Sequence, residues 1–135
     1  EFDEAVAQAD FVSLHIPDIP ATRNYLNADR LARMKASAIL INTARGAVVD
    51  EDALYDAVAS GALAGAALDV FKAEPYMPHD SSRDLRTLEH VLMTPHIGSS
   101  TTEACERMAR AALENIACAL AGQVDDMDLI PGRSK

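Results

Sequence analysis

The run Ile39-Leu40-Ile41-Asn42-Thr43-Ala44-Arg45-Gly46-Ala47-Val48-Val49-Asp50 restricts the chain more than any other stretch. Ala38 to Ile41 is wholly apolar and rich in branched side chains, the pattern of a strand covered on both faces. Asp50, followed by Glu51 and Asp52, opens a helix that ends at Gly61. An arginine and a glycine therefore fall where a strand ends and a helix begins, the place where an open α/β sheet holds its ligand. Arg45 is there either a solvated charge in a turn or a planar fork for an anion, and the spacing alone does not decide.

The rest of the chain repeats the alternation. A short helix from Phe2, with Asp3 as its cap, leads into a strand over Phe11 to Ile16 that Pro17 stops. Asn27 caps a helix over Ala28 to Met34, with Leu26 and Leu31 at staple spacing. Ala64 to Val70 reads as a third strand whose small residues imply close packing against a helix or a ligand. A polar connection from Tyr76 to Glu89 holds one helical turn around Leu85 to Leu88, and Val91 to Thr94 is a fourth strand halted by Pro95. Ser100 with Glu103 forms a capping box for a long helix in which Cys105, Met108, Ala109, Ala112, Leu113, Ile116 and Leu120 recur at three and four. Met108, Leu113 and Ile116 are expected in the core, and Gly122 closes the helix. Strands separated by helical or crossover segments predict an α/β fold, part of a doubly wound parallel sheet.

Length and charge exclude several classes. A chain of 135 residues can build one small domain, and its formal charge of −9, with no basic block, makes nucleic acid an unsuitable partner. No apolar run approaches the roughly 20 residues of a membrane span, so a soluble cytoplasmic protein is expected. The chain opens on Glu1 directly in a helical pattern and reads as a piece of something longer. Cys105 and Cys118 lie 13 residues apart in one helix, too far to bridge, and are expected as reduced thiols packed like small apolar groups.

The strand ends collect the polar candidates: His15, Arg45, Asp69 and His96, with Glu74 shortly after the third. A lone histidine is more often structural or merely exposed than catalytic. Glu74, framed by Ala73 and Pro75, would stabilise an imidazolium if it touched His96. Asp69 is flanked by apolar residues and needs a partner, such as a ligand amide. His79 and His90 read as solvent-facing. None of the six glycines builds the G-x-G-x-x-G turn that cradles a pyrophosphate, and no cluster with metal-ligand spacing is present.

Leu14-His15-Ile16-Pro17, then Ile41 to Gly46 with Val49-Asp50, then Ala66 to Phe71 with Glu74-Pro75, then Thr94-Pro95-His96-Ile97-Gly98 resembles the D-isomer-specific 2-hydroxyacid dehydrogenases over about Phe2 to Gly122. The resemblance implies the carboxyl-terminal part of a dinucleotide-binding domain over residues 1–122, a tail over 123–135, and NAD or NADP as cofactor. It also implies a small 2-hydroxy or 2-oxo acid as substrate, and a homodimer. Arg45 would hold the substrate carboxylate, His96 would serve as acid and base, and Glu74 would pair with that histidine. Ile16, Thr43, Ala44, Arg45, Asp69, His96 and Gly98 would line the nicotinamide half, with the glycine-rich turn upstream and the isolated chain inactive. A nucleotide-sensing, co-repressor-like binding protein on the same fold is the alternative.

Overall fold

The computed structural model describes residues 2–127, so the last part of the expected tail lies outside the described residues. The chain divides into two compact units with the boundary between His96 and Ile97. The first contains α1 (Phe2–Val6), β1 (Phe11–Leu14), α2 (Ala28–Leu31), β2 (Ile39–Asn42), α3 (Glu51–Ala59), β3 (Gly65–Leu68) and β4 (Val91–Met93). Its four strands form one parallel sheet in the order β1-β2-β3-β4, as the alternating pattern predicts.

The pleat sorts the strand residues between two faces. Val12, Leu40, Ala66 and Val91 are in register on one face, with Leu14, Asn42, Leu68 and Met93 one repeat further on. The core lies on this face, where Val6, Leu31, Leu54 and Val58 from the three helices pack against it. Val12 to Leu68 on this face are buried, and Val91 and Met93 are half-buried. The other face carries Phe11, Ile39, Ile41 and Leu92, and it is not closed. Phe11 and Leu92 are both 66% exposed, and the isoleucines are half-buried. Coverage of both faces, expected from the apolar run before Asn42, is thus not found within this unit.

Caps and breakers act close to where the sequence puts them. Asn27 accepts from the Arg30 amide at 3.1 Å, and Asp50 accepts from the Ala53 amide at 3.2 Å. The helix after Asn27 stops at Leu31 rather than Met34, passing into tighter turns in which the Arg33 and Met34 amides bond to Arg30 and Leu31. Asp3 sits in the first turn of α1 and is not its cap, since the helix already includes Phe2, whose ring packs edge-on against Tyr25. β1 ends at Leu14 because its partner residue, Asn42, is where β2 turns away. The small residues of β3 have a specific cause at Gly65, where a Cβ would lie 2.4 Å from the carbonyl oxygen of His90. The partner there is neighbouring backbone, not a helix or a ligand.

The connection after β3 is anchored. Leu85, in a 3-10 turn over Leu85–Thr87, is fully buried and donates its amide to the Tyr76 hydroxyl at 3.0 Å. Arg83 ties the loop to α3 through Asp56 at 2.8 Å. His79 and His90 are exposed as expected, with His79 Nδ1 3.3 Å from Asp52.

The second unit holds the long helix α4 (Thr102–Leu120), closed by Gly122 in the left-handed region. Its cap is Thr101, whose hydroxyl accepts from the Ala104 amide, so the cap lies one residue after Ser100 and Ala104, at the third helical position, has no side chain to complete the expected box. α4 buries no residue, and Met108, Leu113 and Ile116 are exposed, contrary to their expected place in a core. Cys105 and Cys118 are free thiols, but Cys105 is exposed and Cys118 only half-buried. Among the described residues no helix is long and apolar enough to cross a membrane.

Replacing Gly65 by alanine pushes a methyl into the backbone that leads into β4. Gly65→Ala is expected to lower stability by about 2–3 kcal/mol. Gly61→Ala, at an open left-handed position with φ of 76°, is expected to cost about 1 kcal/mol. Urea midpoints at unchanged slope check both values.

Candidate active site

The parallel order brings the carboxyl ends of β1, β2, β3 and β4 to one edge of the sheet, and two concavities open there. The first, about 700 Å³, is lined by His15, Ile16, Pro17, Asp18, Thr43, Ala44 and Arg45. The second, about 460 Å³, is lined by Phe71, Glu74, Pro75, Tyr76, Arg86, Met93, Thr94, Pro95 and His96. Ile16, Thr43, Ala44 and Arg45 therefore line one concavity and Glu74 and His96 the other, and Asp69 lines neither. Gly98 belongs to the second unit, in the segment before α4.

Arg45 occupies an extended residue between β2 and a 3-10 turn over Gly46–Val48. Its guanidinium is exposed, bonds to the Ala44 carbonyl at 2.6 Å, and makes no ion pair with any described residue. The turn beneath it is held from two sides. Asn42 reaches into it from β2, and Gly46 lies so close to the Phe71–Lys72 peptide that a Cβ would stand 1.9 Å from the Phe71 carbonyl carbon. Only glycine lets the two backbones meet there.

That peptide leads directly to the second concavity. The Phe71 amide donates to Glu74 Oε1 at 3.1 Å, and Glu74 Oε2 lies 2.8 Å from His96 Nδ1. The Glu74–Pro75 peptide is cis. The hydrogen bond from His96, followed by that from Phe71, holds the Glu74 carboxyl below the ordinary glutamate range, so it is an anion at neutral pH. An ionised carboxylate only accepts; the imidazole therefore donates from Nδ1 and keeps Nε2 for other chemistry.

Asp69 finds its partners inside the chain. Its Oδ1 accepts from the Thr94 hydroxyl at 2.5 Å and from the His96 amide at 3.2 Å. His96 adopts φ of 54°, a left-handed conformation uncommon for a residue with a Cβ, and the Asp69 carboxylate meets its amide in that conformation. His15 is exposed, with Nε2 2.9 Å from the Ser13 hydroxyl, and Asp18 pairs with Arg23 at 3.0 Å.

Asn42, Gly46, Thr94 and Glu51 complete the arrangement and escape a reading based on motif chemistry. Glu51 is buried at the start of α3 and accepts from the Lys72 amide at 2.7 Å. Burial raises its carboxyl above the ordinary range. A polar residue closing an apolar strand was the available signal for Asn42; Glu51 and Thr94 offered none beyond their places in the helix and strand ends.

The sequence model of the family described as D-isomer specific 2-hydroxyacid dehydrogenase, NAD binding domain, matches residues 1–98. D-3-phosphoglycerate dehydrogenase 2, chloroplastic, of Arabidopsis thaliana is 48% identical over 125 residues, which are 91% of this chain and 19% of that protein. The crystal structure of the TT0316 protein from Thermus thermophilus superposes with a TM-score of 0.83 at 44% identity, over 96% of this chain and 40% of that one. D-Lactate dehydrogenase from Aquifex aeolicus, complexed with NAD and lactic acid, gives a TM-score of 0.80 at 32% identity, over 92% and 41% of the two chains. The chain thus spans between about a fifth and two fifths of the length of these relatives. Matching sequence, matching fold and the ordered strand-end residues make the chain a member of the D-isomer specific 2-hydroxyacid dehydrogenase family, within its NAD-binding domain.

Proposed function

We propose that the protein containing this chain is an oxidoreductase that interconverts a D-2-hydroxy acid and its 2-oxo acid with NAD or NADP. The observation that carries the reading is the 2.8 Å contact between His96 Nδ1 and an ionised Glu74 beside the sheet's carboxyl edge. The retention of that pairing favours an enzyme over a co-repressor-like binding protein on the same fold.

The residues fit the nicotinamide half of the cofactor and not its pyrophosphate half. Ile16, Thr43, Ala44 and Arg45 line an open cleft of adequate size, whereas among the described residues no glycine-rich turn stands at a helix start. When bound, the nicotinamide supplies the hydride donor or acceptor. The family resemblance assigns Asp69 and His96 to the nicotinamide half as further contacts. His96 takes the hydroxyl proton of the acid at Nε2, or returns it to the carbonyl oxygen, while Glu74 neutralises the imidazolium that forms. Arg45 offers donors in a fixed fork to the carboxylate and sets a cation beside the 2-oxygen as charge develops on it. Residues 1–122 are read as the carboxyl-terminal part of the dinucleotide-binding domain and 123–135 as a tail. The homodimeric state and the cytoplasmic location belong to the same proposal; the first rests on the family resemblance.

In the full-length protein, turnover is expected with at least one of glyoxylate, hydroxypyruvate, pyruvate or phosphohydroxypyruvate and NADH or NADPH, followed by absorbance. His96→Gln is expected to lower kcat by about 10² to 10⁴-fold while cofactor affinity stays within a few-fold. Arg45→Ala should raise KM for the acid. Silence across the whole panel, or a His96→Gln enzyme with normal kcat, would sink the reading.

The pair also has a signature in stability. Because the Glu74 carboxyl is lowered on folding, its contribution is complete above the ordinary glutamate pKa of about 4.3 and is lost as pH falls from there through the folded value. Urea unfolding is therefore expected to show a constant advantage of wild type over Glu74→Gln between about pH 5 and 6 that shrinks towards pH 3.

A further inference from the structure

We infer that Asn42 is a positioning residue for Arg45, setting the backbone from which the guanidinium reaches the substrate carboxylate. The inference rests on the reading of Arg45 given above. Asn42 is 1% exposed and closes β2 with a neutral amide at the end of an apolar run. Both ends of that amide are used within one turn. Oδ1 accepts from the Ala44 amide at 3.1 Å, and Nδ2 donates to the Arg45 carbonyl at 3.0 Å. The carbonyl of Asn42 itself accepts from the Asp69 amide at 2.9 Å, which ties the turn to the end of β3.

A buried amide deprived of its partners is costly, so the turn is coupled to the side chain that fills it. On the far side, Gly46 stands against the Phe71–Lys72 peptide. Arg45 lies between these two clamps with extended φ and ψ of −150° and 139°, its backbone fixed and its head group free of described carboxylates. The chemistry selects an amide. Leucine would fill similar space and leave the Ala44 amide and Arg45 carbonyl unpaired. Aspartate would retain the acceptor for Ala44 but place an oxygen against the Arg45 carbonyl.

The test uses the full-length protein with Asn42→Asp and Asn42→Ala, each made alone and with Arg45→Ala. Expected for the single variants is a loss of at least tenfold in kcat/KM for the 2-oxo acid, chiefly through KM for the acid and larger than any loss of cofactor affinity at the adjoining Thr43 and Ala44. In the Arg45→Ala background the same changes should alter kcat/KM by less than twofold, because the group being positioned is gone. Equal losses in both backgrounds, or no loss in either, would overturn the inference. Amide hydrogen exchange gives a readout independent of turnover. Ala44 is expected to exchange at least tenfold faster in Asn42→Ala, with Leu40 and Leu54 unchanged, and an unchanged Ala44 rate would also overturn it. If Arg45→Ala itself retains normal kcat/KM while Ala44 exchange rises, the assignment of Arg45 fails and the clamp on its backbone stands. Should Asn42→Asp fail to fold, Asn42→Ser, which retains a short hydroxyl facing Ala44, takes its place in the same comparisons.

Discussion

The site depends on one peptide link, Phe71–Lys72, being approached by Gly46 at a distance no side chain would permit. That contact seats the turn carrying Arg45 on the chain leaving β3. The residues of the same link then donate twice, from Phe71 to Glu74 and from Lys72 to the buried Glu51 at the start of α3. One donor leads to the histidine and the other to the helix that follows the arginine. Arg45 and His96 are 51 positions apart in sequence, yet each is reached from this link through a contact or two hydrogen bonds.

Two carboxylates near His96 divide the task of holding it. Glu74 engages the ring, which fixes the tautomer and leaves Nε2 without a share in that bond. Asp69 engages the backbone amide and the Thr94 hydroxyl, which holds a left-handed residue at the exit of β4. The ring and the main chain are thus restrained by different side chains, and the restraints come from different segments. A histidine held only by its ring could swing with the loop; one held only by its backbone could choose another rotamer.

The strands were legible because each is an apolar run stopped by a polar residue or proline, and the caps at Asn27 and Asp50 follow from side chains that can accept amides. Arg45, Glu74 and His96 were legible as residues beyond strand ends, although their grouping relied on the family resemblance as much as on spacing. The periodicity of α4 predicts an apolar stripe without saying what covers it, so Met108, Leu113 and Ile116 read as core residues although the core does not contain them. Ser100 and Thr101 are adjacent hydroxyls, and only geometry separates the cap from its neighbour. The same limit applies to β2: Ile39 and Ile41 declare an apolar face, but their partial exposure depends on elements no local pattern encodes.

The arrangement separates rigidity from reach. Asn42 and Gly46 immobilise the main chain at Arg45, while Asp69 does so at His96, yet the guanidinium and the imidazole both remain exposed. Reactive groups on a fixed backbone lose little freedom when a ligand arrives, because the ordering has already been met by folding. Buried amide and close-packed glycine are suited to that task for opposite reasons. The amide saturates polar groups that water cannot reach, and the glycine removes the atoms that would keep two backbones apart. Each is chemically silent towards a substrate, and this is why residues that carry the geometry of a site differ from those that carry its chemistry.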